Sequence, residues 1–276
     1  MTVSPFTPLF FLHDHKTDGL ESCYLQTFST TDRILVEIFI DGFIVPPIYV
    51  NSEPSSARLF SPSIKSVKIN DSMTLVYCLL TFNPGIYSVE IKGYGKSEPF
   101  RVTDDMNILG KTTLIQYSMK NNRQRNDAMF FINGIQHYFD FRVPGGFKDG
   151  GWAFSVESEQ FTTPFGDISQ LYGLETTQKT FTLGCGCGVP IWFGEMLNRI
   201  LVCSHVYFDG VRYTRKDTNV PEANQLLEGT NSFVFTQVLQ QCVNLDPTLE
   251  AAAQTILRRV DSDSFRLVTN DIYRKI

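Results

Sequence analysis

Three Xaa-Gly pairs, Asp41-Gly42, Asn133-Gly134 and Asp209-Gly210, each sit between runs rich in aromatic and β-branched residues. Asp or Asn followed by Gly tolerates the positive φ angles of a two-residue hairpin, so each pair predicts two antiparallel strands joined by a tight turn. The first turn is expected to return the run 33–40 (RILVEIFI) into residues 43–45, where Pro46-Pro47 denies the return strand a central place in a sheet. The turns share a form and not a sequence repeat. Twenty-three Phe beside two Trp agree with a chain built mainly of strands.

Residues 180–217 contain a complete supersecondary unit. An alternating run (Phe181, Leu183) enters a Gly-rich turn (Gly184, Gly186, Gly188) and then an apolar segment. There Trp192, Met196 and Ile200 fall on one face with Phe193, Leu197 and Leu201 beside them, which predicts a helix near 189–202 with Pro190 in its first turn. After Cys203 the period changes to two, and Val206, Phe208, Val211 and Tyr213 flank the Asp209-Gly210 turn.

Residues 1–103 read as an all-β domain. Residues 22–28, 33–40, 66–69, 73–81, 86–92 and 98–102 are strand candidates, and Asn70-Asp71 is a turn. Asn83-Pro84-Gly85 predicts a turn in which Gly85 takes a positive φ, and residues 51–57 a polar loop. About seven short strands at this spacing suggest an immunoglobulin-like sandwich, and the missing Cys-Trp-Cys pattern sets it apart from antibody domains. Thr103-Asp104-Asp105 is the expected boundary. Residues 104–276 then form a β-rich α+β domain with strands at 112–117, 129–132, 135–141 and 232–243. A second helix is expected near 247–260, opened by Asp246-Pro247 and closed by Arg258 and Arg259. The polar tail from 261 reads as a last strand or as an arm on a neighbouring subunit.

A net charge of −5 and a pI near 5.4 argue against broad phosphate-backbone binding, so no nucleic-acid partner is expected. The short apolar run at 8–12 is followed directly by His13-Asp14-His15-Lys16 and has no basic flank before it. That predicts neither a secretion signal nor membrane insertion, and hence a protein made in a cytoplasm. The six cysteines are scattered and read as free thiols.

The candidate chemistry is sparse. Cys185-Gly-Cys187 is too closely spaced for a usual zinc pair and has no second pair to complete it, while His13, Asp14, His15 and Asp18 could hold a divalent ion or form a solvated turn. His137 and His205 could pair with Asp140 or Asp209. No cofactor or metal is assigned. Glu157 with Glu159, or Asp140 with Asp149, could serve as a glycosidase acid pair only if they face one cleft. Residues 142–152 (RVPGGFKDGGW) lack the order of a phosphate loop and predict a wide turn or exposed contact loop tipped by Phe147 and Trp152, with Lys148 between them. The polar run 120–127 (KNNRQRND), with Arg123 and Arg125, predicts a second such loop. Trp152, Tyr172 and Phe147 could stack on sugar rings.

Residues 83–102 (NPGIYSVEIKGYGKSEPFRV), together with FDFRVPGGF at 139–147 and VPIWFGEMLNRILVCSHVYFDGVRYTR at 189–215, resemble structural proteins of the tails and baseplates of bacteriophages and prophages of gut bacteria. The resemblance covers most of residues 75–240. It implies a non-enzymatic virion component assembled in the host cytoplasm, a homo-oligomer that also contacts other virion tail proteins. Phe147, Lys148, Trp152, Arg123, Arg125 and Tyr172 are the expected contact residues. Two alternatives are a carbohydrate- or receptor-binding module at a tail tip, with a host-surface glycan as partner, and a hydrolase of cell-wall polysaccharide.

Overall fold

The computed structural model describes residues 1–11, 20–123, 125–132, 134–216, 220–242, 265–269 and 272–275. Residues 1–241 form one compact unit and residues 242–276 a second. The fold is mainly β with few helices.

Two sheets build the N-terminal sandwich. One runs β1 (Thr2–Val3), β4 (Ile34–Asp41), β8 (Met73–Leu80), β7 (Lys65–Lys68). The other runs β3 (Gln26–Ser29), β11 (Phe100–Thr103), β9 (Gly85–Ile91), β5 (Ile48–Ser52), β6 (Ala57–Phe60), with β10 (Gly95–Lys96) also on β9. All pairs are antiparallel except β3 with β11.

The seven consecutive buried residues of β4, all apolar but Glu37, have a direct cause: both faces of the strand are covered. Ile34, Val36, Ile38 and Ile40 join Val76, Cys78 and Leu80 of β8 in a core closed by Val50, Val89, Ile91 and Phe100 of the other sheet. The alternate residues Leu35 and Phe39, with Leu75 and Tyr77, face the opposite way into the core of the second half. A strand period of two thus divides one sheet between two cores. Thr103-Asp104-Asp105, where the sequence suggests a boundary, lies inside the 1–241 unit and leads into the short helix α1 (Met106–Leu109), capped by Asp105 Oδ1 on the Asn107 N–H.

In the second half β12 (Thr112–Ser118), β15 (Phe139–Thr162), β16 (Ile168–Leu183), β21 (Phe233–Gln241), β18 (Val211–Arg215) and β17 (His205–Phe208) pair in that order. β17 pairs back with β12, so six antiparallel strands close on themselves as a barrel. β19 (Glu222–Gln225) extends the pairing beside β18 on β21. Helix α2 (Ile191–Ile200) buries Phe193, Met196, Leu197 and Ile200, the spacing its sequence predicts, and Arg199 of its last turn donates to the Pro5 carbonyl. Pro190 stands one position earlier than expected, at the N-cap, and Asn231 Oδ1 accepts the first helical N–H in place of a local cap. Gly194 is required there, because a Cβ would stand 2.2 Å from the Phe235 ring. The hairpin β13 (Phe131–Ile132)/β14 (Ile135–Gln136) and the parallel pair β2 (Leu20–Glu21)/β20 (Thr230–Asn231) complete the first unit. In the second unit β22 (Phe265–Thr269) pairs with β23 (Ile272–Lys275).

The turn at 209–210 joins the strands expected, with Asp209 at φ 47° and Gly210 at φ 82°, and the strands expected on either side of Asn133-Gly134 pair over residues 131–132 and 135–136. The turn at 41–42 does not: residues 43–45 form no strand, and β4 is flanked by β1 and β8 instead. Gly85 does not take a positive φ either, since it opens β9 under the Tyr87 ring, whose hydroxyl donates to the Asn83 carbonyl. The expected loop at 51–57 is partly strand, spanning the end of β5 and the start of β6. The helix expected near 247–260 lies outside the described residues.

Candidate functional site

Residues 142–152 are not a loop. They belong to β15, which continues to Thr162 and returns through β16, and the two strands run far past the barrel. β12 accompanies β15 only as far as Pro144, and β21 accompanies β16 only from Thr177. Between these limits residues 153–162 and 168–176 pair with each other and, among the described residues, with no further strand. Ten residues at roughly 3.3 Å each give an arm about 33 Å long. At its tip the Thr163 N–H donates to the Asp167 carbonyl at 2.8 Å and Gly166 takes φ 87°.

At the base the chain is tightly fixed. Gly145 sits at φ 129°, and a Cβ there would lie 2.0 Å from the Thr182 carbonyl oxygen, so only glycine lets β15 approach β16. Phe147 was expected at an exposed tip. It is half-buried in the barrel core, its ring 4.8 Å from Tyr213, 5.3 Å from Phe181 and 5.8 Å from Phe208. Lys148 and Asp149 are exposed beside it. Trp152 is half-exposed, and one of its faces is taken by Lys179, whose Nζ lies 3.9 Å from the ring centroid.

Beyond Trp152 the arm exposes apolar side chains that a folded core would cover. Phe154 is 79 % and Phe165 96 % exposed, and Val156, Phe161, Ile168 and Leu171 are exposed as well. Trp152, Phe154 and Val156 lie on one face, opposite Lys179, Thr177 and Glu175. Four carboxylates (Glu157, Glu159, Asp167, Glu175) and no Lys or Arg occur between residues 152 and 178. Tyr172 belongs to β16, and its side chain lies outside the described residues.

The flank of the sandwich has the opposite charge. β6 and β7 are the edge strands of their sheets and follow each other in sequence. They expose Arg58, Leu59, Phe60, Lys65 and Lys68. Lys68 Nζ lies 5.5 Å from the ring of Phe43, which is exposed together with Ile44, and it also pairs with Asp71.

The second expected contact loop behaves differently at its two arginines. Arg123 is exposed, but Arg125 forms an ion pair with Asp127 and lies 5.0 Å over the Phe6 ring, so it fastens the loop to the body. His13, Asp14, His15 and Asp18 lie outside the described residues. Among the described residues no group of three or more His, Cys, Asp or Glu is placed to hold a metal ion, and no helix is long and apolar enough to cross a membrane.

Asp140 and Asp149 do not share a cleft. Asp140 lines a cavity of about 760 Å³ with Arg33, Gln116, His137, Tyr138 and Arg142, whereas Asp149 and Glu159 are exposed on the arm and Glu157 belongs to the same strand. Asp140 accepts from the Arg33 N–H and from Gln116 Nε2, both at 2.9 Å, while burial pushes its carboxyl above the usual range. Beside it Arg142 grips Asp32 with Nε at 2.7 Å and Nη2 at 2.8 Å, a two-pronged bond between barrel and sandwich. Asp209 is engaged by the Leu114 N–H. Asp140 and Arg142 thus join the two halves beside the cavity. Burial lowers the imidazoles of both His137 and His205.

The arm beyond Trp152 is the feature that sequence reasoning missed. The signal is present in AFSVESEQF and ISQLYGLETTQKTFTL flanking a Thr-Pro-Phe-Gly-Asp turn, but the glycines at 145–151 draw the eye to a loop. Compared with known proteins, the chain matches no family model and no curated sequence.

Proposed function

We infer that this chain is a structural protein of a phage virion, a tail, baseplate or adaptor component assembled in the host cytoplasm, and that it works by protein–protein contact rather than catalysis. The observation that supports the reading is the arm. A two-stranded ribbon on its own is marginal in water, and clustered exposed apolar side chains mark a contact surface. The first contact is with a second copy: the acidic, apolar arm matches the basic, apolar flank at Arg58, Phe60, Lys65 and Lys68. Because arm and flank are different surfaces, each copy uses one to reach the next, and such a heterologous contact closes into a ring or continues as a filament. Other tail proteins are the further partners.

Size-exclusion chromatography with light scattering of the full chain tests this. The wild type should form higher species as concentration rises, and Phe154→Ser with Phe165→Ser should shift them towards monomer without moving the melting temperature. A chain that stays monomeric throughout, or variants that assemble as the wild type does, would remove the basis for the reading. Electron microscopy of the particle carrying the gene should place the polypeptide in the tail, and specific capture by a host glycan in place of self-association would favour the receptor-binding alternative.

A further inference from the structure

Three cysteines from two distant stretches of the sequence meet at one place. Cys23, Cys185 and Cys187 line a cavity of about 380 Å³ together with Tyr24, Arg101 and Lys111. Cys23 and Cys187 are exposed, and Cys185 is partly buried. Bonds that do not involve sulfur hold the two exposed thiols in position. Ser22 Oγ donates to the Gly188 carbonyl at 2.8 Å and accepts from the Tyr24 N–H at 3.2 Å, and Ser232 Oγ donates to the Cys187 carbonyl. Cys23 and Cys187 face the same cavity, and Ser22, the neighbour of Cys23, also lies 3.5 Å from the Cys187 carbonyl oxygen, so the two chain segments run side by side there. Cys185 Sγ is engaged elsewhere, 3.9 Å from the Gly188 carbonyl.

We propose that Cys23 and Cys187 form a dithiol site that a small anionic disulfide, of the class of glutathione disulfide, oxidises to an intramolecular bond between the sandwich and the barrel. Cys187, exposed at the cavity mouth, opens the exchange as its thiolate. It attacks one oxidant sulfur, forms a mixed disulfide and releases one glutathione thiolate, which takes up a proton. Cys23 then gives its proton to water, and its sulfur attacks that of Cys187. The Cys23–Cys187 bond closes and the second glutathione leaves. Two protein thiols are oxidised and one disulfide is reduced to two thiols. Arg101 and Lys111 on the cavity wall supply positive charge for the carboxylates of the oxidant.

The bond would close a loop on the order of 160 residues, a length at which a cross-link restricts the unfolded chain strongly. It would tie the segment entering β3 to the turn that leads into α2. The inference is independent of the assembly reading, because it concerns one copy.

The test incubates the full chain in glutathione buffers of increasing disulfide fraction, followed by intact mass and non-reducing peptide mapping. The wild type should lose two hydrogens, yield a peptide joining Cys23 to Cys187 and melt several degrees higher than its reduced form. Cys185→Ser should behave as the wild type. Cys23→Ser and Cys187→Ser, both at exposed positions, should keep the reduced melting temperature and give no cross-link. Lys111→Glu should slow oxidation by glutathione disulfide severalfold and leave that by uncharged hydroxyethyl disulfide unchanged. Absence of the 23–187 peptide at every ratio, or a cross-link that needs Cys185 instead of Cys23, would overturn the proposal.

Discussion

Glu37 offers the sharpest quantitative test of the fold. It stands on β4 among residues that fill the core shared with the barrel, and it is wholly inaccessible to solvent. One carboxyl oxygen, Oε2, accepts from the Met129 N–H at 3.3 Å; among the described residues no donor stands within hydrogen-bonding geometry of Oε1. Burial therefore dominates, and the carboxyl is pushed from 4.5 up to about 8, against smaller opposing effects of Met129 and Ser4. A carboxyl raised in the folded state favours the protonated fold. Its contribution is fully present below about pH 4.5, is lost as the pH climbs towards 8, and is constant above that. At about 1.36 kcal/mol for each pH unit between those limits, the loss reaches about 3 kcal/mol at pH 7 and about 4 to 5 kcal/mol at pH 9. Glu37→Gln keeps the shape of the neutral acid and cannot ionise. Urea unfolding of both proteins from pH 5 to pH 9 should show the variant gaining on the wild type by that slope and levelling off above pH 8. A difference that does not vary with pH, or a variant less stable than the wild type at pH 9, would refute the assignment of a neutral buried acid.

Gly145→Ala should cost about 3 kcal/mol or more, because the strand cannot retreat from the Thr182 carbonyl without giving up ladder bonds, and thermal melting would register it. Asp32→Ala leaves the Arg142 guanidinium without its carboxylate between the two halves and should destabilise by about 3 kcal/mol, with Arg142→Met at least partly relieving the loss in the double variant. Phe147→Ala should remove about 3 kcal/mol from the barrel core, whereas Phe154→Ser should leave the melting temperature within about a degree, separating packing from contact on a single strand.

Local chemistry was legible where neighbours in sequence are neighbours in space. The Asp209-Gly210 hairpin, the alternation of 86–92 and the apolar spacing of α2 each announce themselves within about a dozen residues, and the mainly β class follows from them. What could not be read depends on distant partners. The Asp41-Gly42 pair looks like a hairpin, yet β8 outcompetes residues 43–45 because it offers β4 eight paired residues and a second core. Phe147 lies between glycines, as a loop-tip residue would, and only the arrival of Phe181, Phe208 and Tyr213 makes it interior. The approach of Cys23 to Cys187 brings together segments more than 160 residues apart, and no spacing rule reaches that far. The arm escaped notice because its exposed alternation has no buried face to declare its period.

The sheet of β1, β4, β8 and β7 serves as the wall between two interiors, and a wall cannot be handed to one side. Truncation after residue 103 would strip the cover from Leu35, Phe39, Leu75 and Tyr77 and bring Glu37 into water. Such a fragment would be sticky rather than self-contained, whatever its own sandwich contributes. The portion of this polypeptide that can be trimmed without injury is therefore the projecting ribbon, and the portion that must be inherited whole is everything it stands on.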